Sequence, residues 1–502
     1  MGPTPPFFAP VNPLLIRRSV HVLIQIGASA HPPVHSFCAM LTWSIFRDEL
    51  RPTFRMALPL VLAEIGWMSM VIVDTMMVGR LPDSAASIGA VSISSSIFIV
   101  FAFFAEGLLA GLDTLVSQAF GAGKREDCHR SLVNGIYLSI LITPVLLLPI
   151  WFIPQYFDRW GVDRQVAVLA LPYMRTLALG LFPLLLYFTV RRTLQGMNMV
   201  RPIAFALVSA NLINFLGNWV FIFGKFGMPA LGVTGSGLAT AFSRMYLATV
   251  LVSYLLWYDH RHRTELLNTP LQPDLQRLRT LITLGIPAGL QIAAEVTVFA
   301  LVASLVARLG AVPLASHQIA LNTVAFTYMV PLGISAAAAV RVGQAIGRKD
   351  PRSAAVAGNT AILLGGSFMA CMSAVLVLFP RLIAHIYTYD EVVIHSTVSI
   401  LAVGAAFQLF DGLQCVATGA LRGTGDTRTP MLCHFSCYWL FGLPLGIYLC
   451  FRRHWGVVGL WTGLSVSLIL IGLLLLFFWR KKSRLLQLAS PSIDSQSLAA
   501  EI

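Results

Sequence analysis

Five carboxylates, Glu64, Asp74, Glu106, Glu295 and Asp411, lie inside apolar stretches long enough to cross a bilayer. Asp74 sits in VLAEIGWMSMVIVDTMMVG, Glu295 in LITLGIPAGLQIAAEVTVFALVASLVA and Asp411 in SILAVGAAFQLFDGLQCVATGAL. An ionised carboxylate at bilayer depth costs at least about 2.5–3.5 kcal/mol on insertion scales. Acids kept there face a water-filled cavity, a partner or a bound cation. The chemistry open to them is the reversible binding of a proton or a small cation.

Helical spacing groups these acids with polar neighbours, because residues three and four apart share a face. Phe407, Asp411, Gln414 and Thr418 form one stripe, and Gln291 and Glu295 form another. An acid backed by amides and a hydroxyl presents hard oxygen ligands suited to a cation. Trp67, Met70, Asp74 and Met77 fall on one face in the first half of the chain, as do Asn211, Asn214 and Asn218. Asn-rich faces also bridge helices by simple hydrogen bonding, so that reading stands beside the cation-binding one. Glu106 and Asp113 are seven residues apart and share a face. Phe98, Phe101, Phe103, Phe104, Phe182 and Tyr187 offer rings to a flat cation or to ordinary packing.

The elements that must position these residues are membrane-spanning helices. The chain has 502 residues, of which 57% are hydrophobic and 11% charged, and a mean hydropathy of +0.76. Soluble domains carry about 25% charged residues. Apolar runs of spanning length, about 20 residues, recur near 56–79, 88–112, 132–153, 168–190, 201–224, 232–257, 281–307, 316–340, 356–380, 396–421, 431–451 and 457–479. The expected fold is an all-α integral membrane protein with twelve transmembrane helices in two six-helix bundles. Pro residues within or near the runs, Pro287 among them, are expected kinks.

The net charge of +13 does not require a nucleic-acid partner. Lys and Arg concentrate in alternate breaks, around Arg51, Lys124, Arg191, Arg261, Arg348, Arg422 and Arg480. The intervening breaks hold only isolated basic residues, such as Arg80, Arg159, Lys225, Arg308, Arg381 and Arg452. This is the positive-inside asymmetry, and it places both termini in the cytoplasm. The seven cysteines are scattered. Cys433, His434 and Cys437 match no standard ligand spacing and read as small buried groups. Residues 1–45 read as a disordered extension, with a short signal-peptide-like pattern at Arg17 to Ala30 as the alternative. The tail from 481 to 502 reads as a polar cytoplasmic end.

The two halves repeat. TLVSQAFGAGKRE at 114–126 resembles VRVGQAIGRKD at 340–350, and RRTLQGMNMVRPI at 191–203 resembles TGALRGTGDTRTPM at 418–431. The offsets stay within about 224–228 residues, which signals duplication. An even number of spans per repeat gives both halves one orientation, related by an axis along the membrane normal. The halves are an N-lobe at 46–258 and a C-lobe at 281–480, joined by a cytoplasmic linker at 259–280.

With MALPLVLAEIGWMSMVIVDTMMVGRL, SQAFGAGK, LQGMNMVRP, SHQIALN, GQAIGRKD and GALRGTGDTRTP in this order, the chain resembles the multidrug and toxic compound extrusion (MATE) family over about residues 47–480. The resemblance implies two six-helix bundles in a V around a central cavity. It implies export of organic cations and other amphipathic compounds in exchange for Na⁺ or H⁺, with no further cofactor. For the NorM-like branch it implies coupling acids at Glu295 and Asp411, a possible Na⁺ site there, and Asn322 as a neighbour. That branch commonly has Tyr where this chain has Phe407, which removes a hydroxyl ligand and leaves Na⁺ and H⁺ both open. In the N-lobe it implies an acid at Asp74 working with Asn214, Asn218 and Thr240. The expected partners are small cationic or amphipathic substrates and membrane lipid. The chain is expected to act as a monomer in the inner membrane.

Two other readings have different signatures. A flippase for a lipid-linked saccharide needs cavity Arg and Lys for pyrophosphate, and Arg175 and Arg244 are the few basic residues inside the apolar runs. A receptor or scaffold would bind without gradient-driven transport. An enzyme is not expected: GAGK at 121–124 lacks the Gly before it and the Ser or Thr after it that a phosphate loop needs, those positions being Gln118 and Arg125. The charge alternation yields a direct test. Single cysteines placed beside Arg261 and beside Arg381 are expected to be labelled from opposite sides of the membrane; labelling of both from one side would refute the twelve-span arrangement.

Overall fold

A computed structural model describes residues 34–488, apart from 158, 160 and 265–269, with side chains from residue 48 onward. The N-terminal extension up to residue 33 and the tail beyond 488 lie outside the described residues. The first helix begins at Val34 and runs unbroken to Val78, so residues 34–45 are helical where an unstructured leader is expected. Pro32 and Pro33 precede this helix, and the next proline is Pro52.

Among the described residues every regular element is helical. The spans of the first lobe are α1 (Asp48–Val78), α2 (Ser84–Gly121), α3 (Arg125–Tyr156), α4, α5 (Arg201–Phe223) and α6 (Gly232–His262). Here α4 is a broken pair, Arg164–Leu179 and Leu181–Gly196, bent by 41°. The second lobe holds α7 (Leu275–Ala307), α8 (Ala311–Gly347), α9 (Pro351–Leu378), α10 (Glu391–Gly423), α11 (Arg428–Arg452) and α12 (Gly456–Leu488). Each expected apolar run coincides with one of these helices, overrunning its end by no more than two residues. Most helices outlast their run: α8 has 37 residues, about 55 Å at 1.5 Å per residue, against a hydrocarbon core of about 30 Å. The extra turns carry the basic loop residues into ordered structure, and α12 continues as helix through Leu488.

Local sequence sets the helix ends. Asp163, Asp274, Asp350 and Asp390 each accept hydrogen bonds from backbone N–H groups of the following turn, satisfying donors that a helix start leaves unpaired. Hydrogen bonds from the backbone of Arg277 and Gln276 also hold the exposed Asp274 carboxyl below the usual carboxylate range. Gly224 ends α5 with φ of 67°, and a Cβ there would lie 2.6 Å from the Ala230 nitrogen, so only glycine fits.

The two lobes meet through the repeated motifs. Gln118 in α2 donates its Nε2–H to the Gly423 carbonyl of α10 at 3.1 Å. Its repeat mate Gln344 in α8 donates to the Gly196 carbonyl of α4 at 2.9 Å. A Cβ on Gly121 would strike the Gln344 carbonyl, and one on Gly347 would strike the Gln118 carbonyl. Farther along, a Cβ on Gly107 of α2 would fall 2.5 Å from Gly289 Cα of α7, and one on Gly333 of α8 would fall 2.6 Å from Val61 of α1. The contact is reciprocal: α2 packs on α7 and α8, and α8 packs on α2 and α1. Small residues permit this close backbone approach between membrane helices. These contacts lie in the half of each helix that leads to a Lys/Arg-rich loop, so the lobes are joined at the basic end of the molecule.

The close approach makes a prediction. Gly347→Val is expected to lower stability in detergent by about 1–3 kcal/mol, the cost of overpacking. Gly404→Ala, whose Cβ meets nothing nearer than 3.7 Å, is expected to be near neutral. Thermal unfolding midpoints compare the two; equal loss in both would show that the inter-lobe contact tolerates a side chain.

Candidate functional site

The N-lobe site forms where α1, α5 and α6 converge. The Asp74 carboxylate accepts a hydrogen bond from Asn218 Nδ2 at 2.5 Å and another from Thr240 Oγ1 at 2.9 Å. Asn218 also donates to Asn214 Oδ1 at 3.2 Å. All four side chains are buried. The turns are ordinary helix: Asn214 and Asn218 share a face one turn apart, and Thr240 also donates to the Ser236 carbonyl of its own helix. Arg244 lies within electrostatic range of Asp74. It does not form an ion pair with it: the guanidinium sits over the Phe98 ring, 4.4 Å from its centroid, and donates to the Leu177 carbonyl at 3.4 Å. Asp74 is therefore held by neutral donors. Of the residues read from the sequence, Asp74, Asn214, Asn218 and Thr240 come together as one site, whereas Asn211 turns to the Gly66 carbonyl of α1 at 2.9 Å and ties the helices.

The C-lobe site is assembled from α7, α10 and α11. Asp411 is buried and accepts a hydrogen bond from Gln414 Nε2 at 3.1 Å. Glu295 lies within electrostatic range of it. Its Oε2 is 3.5 Å from His434 Nδ1, and the other ring nitrogen of His434 faces Gln291 Nε2 at 3.4 Å. His434 is fully buried. Spacing along α11 shows His434 only as a member of a cysteine-flanked trio; its place beside Glu295 of α7 depends on how the two helices pack. Tyr438, one turn on, is within electrostatic range of both acids. Here α11 is wound as π-helix over Ser436–Gly442, a form found mostly as single wide turns and frequently at functional sites.

Two expected members make no hydrogen bond to either acid. Asn322 accepts from Gln318 Nε2 at 3.2 Å, one turn earlier on α8, and its hydrogen bonding does not involve Glu295 or Asp411. Phe407 is buried against Trp461, ring centroids 6.1 Å apart, and brings no oxygen. Sharing a stripe with Asp411 fixes the direction of Phe407 on the helix; α12 determines that an indole fills the space before it.

A third cluster corrects the reading of the charges. Arg191 and Arg192, counted above among loop residues, are buried in the second half of α4. Arg191 pairs with Glu64. Arg192 binds Glu106 at 2.9 Å and Asp113 at 2.6 Å. Arg422, from the opposite lobe, reaches Asp113 at 3.5 Å. The physical reason is helix length: α4 continues past its apolar run to Gly196 and carries the arginines inward, and Glu64, Glu106 and Asp113 neutralise them. Glu64 and Glu106 are thus partners of fixed cations.

A duplicated bundle of twelve spans, with one polar acid site in each lobe, defines a transporter fold. The chain belongs to the MatE family, whose signature matches residues 59–220 and 287–448, one segment per lobe. It is 35% identical over 455 residues to a probable multidrug resistance protein NorM of Mesorhizobium japonicum, covering 88% of this chain and 96% of that protein. It is 33% identical over 453 residues to the multidrug resistance protein NorM of Vibrio cholerae serotype O1, covering 88% and 98%. Among solved structures, the eukaryotic MATE transporter AtDTX14 superposes with a TM-score of 0.79 at 24% identity, over 88% of this chain and 99% of that one. A MATE structure in the straight conformation gives 0.79 at 18% identity, over 88% and 97%.

The buried charge cluster is testable. Arg192→Met leaves two acids without their main partner and is expected to cost about 3–5 kcal/mol of stability. Replacing Glu106 and Asp113 by Gln and Asn in the same chain is expected to recover a large part of it. Unfolding in detergent measures both. An Arg192→Met protein as stable as wild type would mean that the cluster is hydrated and not held by pairing.

Proposed function

We propose that this protein is a secondary active multidrug efflux transporter. It exports organic cations and amphipathic compounds in exchange for Na⁺ or H⁺, with Asp74 in one lobe and Glu295 and Asp411 in the other as the coupling acids. The observation that carries this reading is a division among the buried acids. Glu64, Glu106 and Asp113 are each neutralised by an arginine. Asp74 and Asp411 are held by Asn, Thr and Gln. An acid solvated only by neutral donors at membrane depth is stable when a mobile cation or proton joins it. Those same two acids match family coupling positions, and curated relatives carry multidrug resistance names.

The C-lobe donor set favours the proton as the coupling ion there. Phe407 brings no oxygen to the acids, and His434 adds a second titratable group beside Glu295. A flippase for a pyrophosphate-linked saccharide is less well supported, because the buried Arg191 and Arg192 are already neutralised. The basic end, where the lobes are joined, is the cytoplasmic one by the positive-inside rule. With the lobes closed together at that end, access to the acids in this state would come from the other side, and one chain supplies both lobes. An ion shifts the balance between this state and its inward-facing counterpart only through its different affinity for the two.

Efflux of a fluorescent organic cation from proteoliposomes tests the proposal. Wild type is expected to respond to an imposed proton gradient more than to a Na⁺ gradient. Asp411→Asn and Asp74→Asn are expected to lose gradient-driven efflux while remaining folded. Undiminished efflux in Asp411→Asn under both gradients would remove that residue from coupling.

A further inference from the structure

A cavity of about 730 Å³ lies between α9, α10 and α12, away from both acid sites. Its inner wall is apolar: Ile362 and Leu363 from α9, Leu409 and Leu413 from α10, and Leu476 from α12. Gly366 and Ala370 leave the space open on the α9 side. At its back, Trp479 is fully buried and donates its indole N–H to Asn359 Oδ1 at 2.8 Å. A Cβ on Gly358 would overlap that ring, so the wall is built tightly and the opening is not a packing defect of the Trp. The mouth is cationic. Arg480, Ser483, Arg484 and Gln487 line it, and their spacing puts them on one face of α12. Arg480 and Arg484 are exposed, and among the described residues no ion pair engages either.

We propose that this groove is a binding site for an anionic phospholipid, whose phosphate sits at Arg480 and Arg484 and whose acyl chain lies along Leu363, Leu409, Leu413 and Leu476. Four features select this occupant. Arginine forks match phosphate oxygens and form charge-assisted hydrogen bonds with them. The apolar wall from Asn359 to Ala370 runs for about 16 Å along α9, which suits a fatty chain and not a soluble anion. The flank beside it is dressed for lipid, with Leu363 54% and Phe477 60% exposed. Arg480, Lys481, Lys482 and Arg484 follow one another at the end of α12, and basic clusters at the cytoplasmic end of a span attract anionic headgroups. The groove also has a place in the machinery. Leu409 and Leu413 flank Asp411 on α10, so a bound chain packs against the helix that carries the C-lobe acid.

The experiment uses the full chain purified in detergent. Retained lipid is read by native mass spectrometry, and thermal stability is read on adding phosphatidylglycerol, phosphatidylcholine or glycerol phosphate. Phosphatidylglycerol is expected to be retained and to raise the unfolding midpoint more than phosphatidylcholine does. The double substitution Arg480→Gln with Arg484→Gln is expected to weaken phosphatidylglycerol binding by roughly tenfold or more, the loss of at least one charge-assisted bond. Gly366→Leu, which fills the groove and leaves the arginines in place, is expected to do the same. Equal retention of the two lipids, or unchanged binding in both variants, would overturn the proposal. Stabilisation by glycerol phosphate equal to that by phosphatidylglycerol would also overturn it, by showing an anion site without a role for the chain. None of these readings depends on transport, so the lipid site stands or falls separately from the coupling proposal.

Discussion

A charge in a bilayer must be answered, and how each buried charge is answered organises this molecule. Arg192 draws Glu106 and Asp113 to one point, and Arg422 reaches the same Asp113 from the other lobe. Glu64 and Arg191 form a second pair beside them. A buried ion pair adds little net stability over an apolar pair of the same shape, but removing one partner is costly. The cluster therefore acts mainly as a constraint on how α1, α2, α4 and α10 sit together. It also sets the background against which Asp74 and Asp411 stand out. Their hydrogen-bond partners are amides and a hydroxyl, and among the described residues no ion pair answers either carboxylate.

The duplication supplies the second constraint. Because Gln118 and Gln344 occupy equivalent places, one motif serves both sides of the same contact, each glutamine bonded to a backbone carbonyl across the lobe boundary. Gly121 and Gly347 clear the space for each other's repeat. The helices that meet there also bury apolar side chains such as Leu108, Leu112, Leu281 and Val340. The lobes have diverged elsewhere. The first keeps a continuous α-helical α5 with an asparagine face, whereas the second brings a π-wound α11 and a buried histidine beside its acid.

Much of this was legible in the chain itself, for identifiable reasons. Spanning helices read clearly because the bilayer demands about 20 apolar residues in a row. Asn214 and Asn218 could be grouped because they share a helix face, whereas Asp74, on another helix, joins them only through the family resemblance. Helix ends were harder to read. Hydropathy falls at the edge of the hydrocarbon, but backbone hydrogen bonding continues through the polar turns, so α4 reaches Gly196 and α12 reaches Leu488. That is why hydropathy alone assigns Arg191 and its neighbour Arg192 to a loop.

The amino-acid sequence by itself determined the number of spans, their duplication, the basic and less basic ends, and which acids lie at membrane depth. These follow from composition and period along one dimension. The tertiary structure decided which acid meets which partner: His434 beside Glu295, arginines on Glu64, Glu106 and Asp113, Trp461 over Phe407, and Asn322 turned to its own helix. Those pairings join helices separated by as many as 309 residues of chain. They depend on the rotation and crossing of packed helices, which are set by side-chain volumes on several elements at once and carry no periodic mark in any one of them.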